Sequence, residues 1–396
     1  MTTTSASSSV PLELSDEQAF FRDTTRKFLE AEAPLTTVRA LHDDPDGFGR
    51  DWWRAATSLG WTSLFVPEAH GGGSLSGAPA ADATIVAAEL GRLVSPGPFL
   101  PVNVVAAALT WSGSPAQAEA VLPGLASGAS LAAWALAEPG DRWFADAFTT
   151  TATVAGGTVT VHGEKAYVEA AGVADHLLVT ARGDGGLTQV LVPADAAGVV
   201  VTRGRSVDLT RRYGRVRFDG VRLPVDAVVG EPGGASAAVE RQLQLALALQ
   251  CAELVGVAER TLETTIEYGR DRIAFGRPIA SFQALKHRMA DMAMWLEGAK
   301  AVTEALAAAV DGAPIDGAGD QGVDGTRLAS VAKAYVGRHC LDIVDDCVQI
   351  TGGLGVTWEH DIHLYNRRAV VDRAMFGSPE LHRLRLLELL DEEGGA

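Results

Sequence analysis

Cysteine is scarce in this chain: three in 396 residues, Cys251, Cys340 and Cys347. Their spacing fits no metal-ligand pattern and no disulfide framework, which points to a reducing compartment. Long apolar runs are also missing. None approaches the roughly 20 residues that a membrane-spanning helix needs, so no membrane role is expected. Positive charge is in deficit, with 33 Lys and Arg against 50 Asp and Glu and a net charge of −17. Nucleic acid is bound by clustered cations that release counterions, so it is not an expected partner. Residues 1–10 are rich in Thr, Ser and Ala and lack a basic stretch followed by an apolar core. They read as a floppy lead-in rather than a signal peptide, and a cytoplasmic location is expected.

What is present is an ordinary globular composition, 47 % hydrophobic and 21 % charged, in a chain long enough for two or three domains. Ser15 with Gln18 three residues on has the form of a capping box, and Phe20, Phe21, Thr24, Phe28 and Leu29 follow at helical spacing. Apolar helical segments recur at 82–93 and 102–111, after the break Pro67-Glu-Ala-His-Gly-Gly-Gly73. From about Leu131 the period changes to short β-branched runs at 148–154, 158–161, 176–180, 188–192, 199–202 and 215–218, with Gly-rich turns between them. After Gly230-Glu-Pro-Gly-Gly234 long amphipathic helices are expected over 237–268, 282–310 and 327–351, with 311–325 as a flexible connection. The fold class is therefore α+β: an N-terminal helical domain (1–130), a middle β-barrel (131–234) and a C-terminal helical bundle (235–396).

The stretch Tyr268-Gly-Arg-Asp-Arg272-Ile-Ala-Phe275-Gly-Arg-Pro-Ile-Ala-Ser-Phe282-Gln283, continued to Ala290-Asp291-Met292, resembles the signature of the acyl-CoA dehydrogenases. A guanidinium such as Arg272 meets phosphate oxygens in a bidentate fork, which suits a pyrophosphate anchor. The resemblance implies that Arg272, Phe275 and Gln283 reach out to hold the FAD of a neighbouring subunit. A plainer reading leaves them tying a helix end into the bundle. Gln349-Ile-Thr-Gly352-Gly353-Leu-Gly355 is similar to the family's Gln-x-x-Gly-Gly-x-Gly, where Gln349, Gly352 and Gly353 would approach the ADP part of the same flavin. A Gly-Gly pair there is equally a helix C-cap.

The half of the site that the chain would keep for its own flavin ring departs from the family. Thr-Glu-Pro-x-x-Gly-Ser-Asp reads Ala137-Glu138-Pro139-Gly140-Asp141-Arg142-Trp143 here, and Lys-x-Trp-Ile-Thr reads Lys165-Ala-Tyr167-Val168-Glu169. By resemblance Glu138 and Tyr167 are the positions that face the cofactor. An anionic Glu169 near the ring would oppose charge developing there, unless it faces water. Oxidation of an acyl thioester needs a carboxylate base. The family's usual position for it is Phe376 here, and its alternative position is Ala246, followed by Leu247 in place of an Arg that often contacts CoA. Glu253 lies two turns beyond Ala246, roughly 10 Å along the helix, and is too distant to substitute. Asp372, one turn before Phe376, is the remaining candidate base, or else a surface charge. The catalytic residue is thus not identified. Glu359-His360-Asp361-Ile-His363 has two His at i, i+3 without a third ligand source, so no metal is expected, and His287 reads as a packed or capping His.

An intact lent half-site, a worn ring pocket and absent bases resemble the non-catalytic-type subunit of bacterial heterotetrameric acyl-CoA dehydrogenases. The expected activity is α,β-desaturation of an acyl-CoA with a base-bearing homologous partner and an electron-transfer flavoprotein as acceptor. A homo-oligomeric flavoenzyme acting on a CoA- or carrier-bound acyl group, and a pseudoenzyme scaffold, stay open as rival readings.

Overall fold

The computed structural model describes residues 14–312 and 321–394. The lead-in at 1–10 and most of the expected connection at 311–325 lie outside the described residues. The first helices are α1 (Asp16–Glu32), α2 (Leu35–Ala40), α3 (Arg50–Thr57), α4 (Pro79–Arg92), α5 (Phe99–Ser112) and α6 (Pro115–Ala126). α1 starts at the capping box read from sequence: Gln18 N–H donates to Ser15 Oγ and Ser15 N–H to Gln18 Oε1, both at 3.2 Å.

The middle strands are β1 (Ala132–Ala135), β2 (Thr151–Ala155), β3 (Thr158–Glu169), β4 (His176–Gly183), β5 (Gly186–Pro193), β6 (Val199–Arg203), β7 (Tyr213–Pro224) and β8 (Val228–Val229). They form one eight-stranded sheet in the order β6-β7-β3-β2-β4-β5-β8, with β1 added in parallel to β4. Alternate residues of seven strands, among them Ala133, Ala152, Val161, Leu177, Val190, Phe218 and Val228, meet in one apolar core, so the sheet curls around it. The expected strand at 148–154 begins three residues later, at Thr151, because Phe148 turns inward after a short 3-10 segment.

The C-terminal part comprises α7 (Ser236–Asp271), a hairpin of β9 (Ile273–Ala274) and β10 (Arg277–Pro278), then α8 (Gln283–Gly312), α9 (Gln321–Thr351), α10 (Ile362–Ala374) and α11 (Pro379–Gly394). Residues 321–325, expected in the connection, already belong to α9. α7 is the axis of the molecule. α4 lies along one side of it and α9 along another, and a single helical core joins the N-terminal helices to the bundle. The α4–α7 approach is set by a reciprocal pair of glycines. A Cβ on Gly91 would stand 2.0 Å from Glu253 O, and one on Gly256 would stand 2.0 Å from Ala88 O. With the backbones this close, Arg92 of α4 reaches both Glu259 (2.6 Å) and Glu263 (2.7 Å) of α7. No helix among the described residues is long and apolar enough to cross a membrane.

Gly256→Ala should push α4 and α7 apart and destabilise the fold by about 1–3 kcal/mol, the usual cost of overpacking a close contact. A lowered urea midpoint at unchanged m-value would show it, and an unchanged midpoint would contradict the close crossing.

Candidate functional site

Two separate groups of residues stand out, one facing outward and one closed. The outward group sits at the C-terminal end of α7. The two-residue turn Phe275-Gly276 joins β9 to β10 with φ of 54° and 77°, the left-handed pair that suits a tight hairpin. The turn projects Phe275 from the surface, where it is 94 % exposed. Arg272, Gln283, Gln349, Gly352 and Gly353 are exposed as well. Phe282 packs edge-on to Phe275 at 6.2 Å and carries the Arg277 guanidinium over its face at 4.1 Å. The Tyr268 hydroxyl donates to Thr351 O at 3.5 Å, so the end of α7 and the end of α9 adjoin. The structure thus brings the two sequence segments into one neighbourhood. Exposed guanidinium groups beside the N-terminus of a long helix, at Gln283, suit an anion.

The closed group lies where barrel, α7 and α10 meet. A cavity of about 20 Å³ there is lined by Trp134, Tyr167, Glu169, Arg211, Gln250, Glu253, Asp372 and Phe376, among others. Space of that size holds about one water molecule. Its walls are charged. Arg211 donates to Glu169 at 2.5 Å and to Glu253 at 2.6 Å. Arg368 pairs with Asp208 and with Glu253 and donates to Thr210 Oγ1 at 2.8 Å. Burial alone would raise the Asp208 carboxyl, but the Arg368 guanidinium overrides it and holds it at about 2. Burial pushes the Glu169 carboxyl up, with Arg211 opposing. Burial and the neighbouring Glu253 push Asp372 well above the usual carboxylate range, and its Oδ2 has no hydrogen-bond partner. Lys333, drawn down to about 8 by burial, donates to Gln250 Oε1 and to Asp372 O, both at 2.5 Å.

Several expectations change here. Glu253, read as too far from the base position, lines the same cavity as Phe376, because its partners Arg211 and Arg368 draw it there. Asp372 is no surface charge but 3 % exposed. Glu169 does not face water, and Arg211 neutralises the charge that would have opposed a flavin. Ala246 is fully buried in the helical core. Glu138 is buried with its carboxylate fully engaged: it accepts from Lys165 Nζ at 2.9 Å, Thr149 N at 2.6 Å and Thr150 N at 2.8 Å. Tyr167 sits on a bulge of β3 with φ of 55° and donates its hydroxyl to Asp141 at 3.2 Å.

Phe376 also has a positive φ, 58°, and packs on Trp134 at 5.7 Å and Trp143 at 5.8 Å. Its carbonyl accepts from Nε2 of His382 at 2.9 Å, while Nδ1 of the same ring meets Ser330 Oγ at 3.2 Å. Burial draws His382 down to about 3, so the ring is neutral and Nε2 carries its proton.

His287 is exposed on α8. His363 stacks on Trp358 at 5.0 Å, and His360 Nδ1 accepts from Ile362 N–H at 3.2 Å. Among the described residues no group of three or more His, Cys, Asp or Glu could hold a metal ion. Arg211, Arg368, Gln250 and Lys333 were not singled out from sequence. The one signal available was Arg368 four residues before Asp372, the spacing of a same-face helical pair.

Helical domain, curled sheet and helical bundle in this order are the architecture that the sequence resemblance implies for an acyl-CoA dehydrogenase. Three family models cover the chain: the acyl-CoA dehydrogenase N-terminal domain over residues 15–129, the middle domain over 133–221 and the C-terminal domain over 233–390. The chain belongs to the acyl-CoA dehydrogenase family. Proteins of this family bind FAD and act as oxidoreductases on CH–CH bonds. Acyl-CoA dehydrogenase IpdE2 of Mycobacterium tuberculosis is 32 % identical over 94 % of this chain and 96 % of its own length. The steroid acyl-CoA dehydrogenase Tcur3481–Tcur3483 superposes with a TM-score of 0.85 at 27 % identity, over 96 % of this chain and 99 % of that one. The ChsE4–ChsE5 complex of Mycobacterium tuberculosis gives 0.84 at 26 %, over 96 % and 99 %.

Because burial and the neighbouring Glu253 raise the Asp372 carboxyl above its unfolded value of about 3.8, its contribution to stability falls as pH rises from that value toward the folded one. Asp372→Asn removes this dependence. Its stability relative to the parent should therefore rise between acidic and neutral pH in a series of urea titrations. Parallel curves for the two proteins would mean that Asp372 is ionised in the fold.

Proposed function

We propose that this chain is the completing subunit of a hetero-oligomeric acyl-CoA dehydrogenase. It holds the ADP half of FAD at an interface with a homologous partner that carries the catalytic base and the ring pocket. The observation that carries this reading is the contrast between the two groups. A pocket for a drug-sized ligand takes some 300–1,000 Å³, against about 20 Å³ in the cavity lined by Glu253, Asp372 and Phe376. That cavity holds about one water rather than an acyl chain, and both base positions, Phe376 and Ala246, are apolar.

The outward group fits the other half of the cofactor. Arg272 and the N-terminus of α8 would meet the pyrophosphate, with Phe275 and Gln283 beside it. Gln349 and the Cβ-free edge at Gly352 and Gly353 would let the ADP moiety lie against the end of α9. Bound FAD would supply hydride acceptance for α,β-desaturation. This chain's own part is to bind and orient, and the partner's is to remove the proton. The steroid dehydrogenase and the ChsE4–ChsE5 complex, each named for two components, support a two-chain assembly, and an electron-transfer flavoprotein is the acceptor that family membership favours.

Purified alone, the chain should be colourless. Mixed with a base-bearing homologous subunit, it should give an assembly with about one FAD per pair, and Arg272→Ala should weaken FAD retention about 10–100-fold, the worth of one lost charge-assisted contact. A yellow protein with one FAD per chain in the absence of any partner would overturn the proposal in favour of a homomeric flavoenzyme. Unaltered flavin and rate in the Arg272→Ala assembly would leave the chain a scaffold.

A further inference from the structure

We propose that the indole of Trp143 fills, from within the chain, the slot that a planar flavin ring would take against the barrel. The chain's own ring pocket would then be plugged as well as worn. This rests on the reading of the chain as a completing subunit and names the residue that keeps flavin from its barrel.

A planar heterocycle binds by stacking on an aromatic face. Tyr167 offers that face. The bulge in β3 turns its ring away from the sheet, and 39 % of the residue remains exposed. One side of the ring is already covered by Trp143, stacked at 5.2 Å and only 20° from parallel. The other neighbour of the indole is Phe376, edge-on at 5.8 Å and 69°.

The turn that delivers Trp143 is built for the purpose. Glu138 and Arg142 exchange backbone hydrogen bonds at 3.0 and 3.4 Å, and Asp141 takes a φ of 58° to accept the Tyr167 hydroxyl bond. Asp141, Tyr167 and Phe376 all hold the left-handed conformation that residues with a Cβ disfavour, and such positions gather where the surrounding structure has a task for them. Trp143 is 5 % exposed, yet it belongs to neither the helical core nor the barrel core. It stands as a wall of a groove of about 390 Å³ bounded by Phe144, Leu243 and Leu381, and it meets Phe376, which lines the closed cavity.

Lumiflavin, the isoalloxazine ring without ribityl or ADP, tests the plug apart from the Arg272 edge. Followed by flavin fluorescence and equilibrium dialysis, the parent chain should not bind it measurably. Trp143→Ala should bind it at least about tenfold more tightly, near one per chain. Trp143→Leu, read in the same way, serves where the alanine variant does not melt cooperatively. Lumiflavin binding by the parent chain as tight as by the variants, or a folded variant that binds no better than the parent, would overturn the proposal. Gain of lumiflavin binding alongside an Arg272→Ala assembly with unaltered flavin would keep the plug and remove the completing-subunit reading.

Discussion

Two buried guanidinium groups, Arg211 and Arg368, set the terms for the rest of the molecule. Each is almost wholly removed from water, and a buried charge is tolerated only where partners replace its hydration. Those partners come from every part of the chain. Arg211 donates to Gly97 O before α5, to Glu169 at the end of β3 and to Glu253 in α7. Arg368, on α10, reaches Ser95 O, Asp208, Thr210 and Glu253. Helical domain, sheet and bundle are thus pinned at one point, and that point is the space beneath Phe376. The same contacts that register the three parts leave room there for about one water.

That convergence sets a closed, charged centre apart from an exposed edge. The glycine pair Gly91 and Gly256 clamps α4 to α7, so Glu253 is held at the depth where both arginines can share it. At the far end of the same helix the tight turn at Phe275 and the bond from Tyr268 to Thr351 keep a set of polar and aromatic groups outside the body of the chain. α7 therefore links a neutralised, closed centre at its middle to an open edge at its C-terminal end, and the two have opposite chemical character.

What the sequence made legible follows from how local each signal is. The Ser15–Gln18 box and the long helical periods are written within a few residues, and the structure has them, whereas the hairpin at Phe275-Gly276 was not foreseen. β1 escaped because Ala132–Ala135 is buried on both sides and shows no alternation. The charge network was invisible for a different reason. Its bonds join positions 42, 115 and 160 residues apart, and nothing in a linear pattern marks which arginine will find which carboxylate. Reading Glu253 by its distance along one helix axis missed that the side chain is drawn sideways by partners on other elements. The signature around Arg272 carried the fold and the family. The closed centre needed coordinates.

The shared carboxylate of Glu253 has a consequence for how such a chain can change over generations. Widening the cavity under Phe376 on its charged side would require removing Arg211, Arg368 or one of their partners. Any one of these replacements leaves an opposite charge stranded in the interior, at a cost of roughly 3–5 kcal/mol. That is a large fraction of the 5–15 kcal/mol by which a typical domain is stable. Intermediates on the way to a roomier site would therefore be purged for failing to fold before any gain in activity could be selected. The network behaves as a ratchet: once closed, the charged wall of the cavity resists being opened one residue at a time.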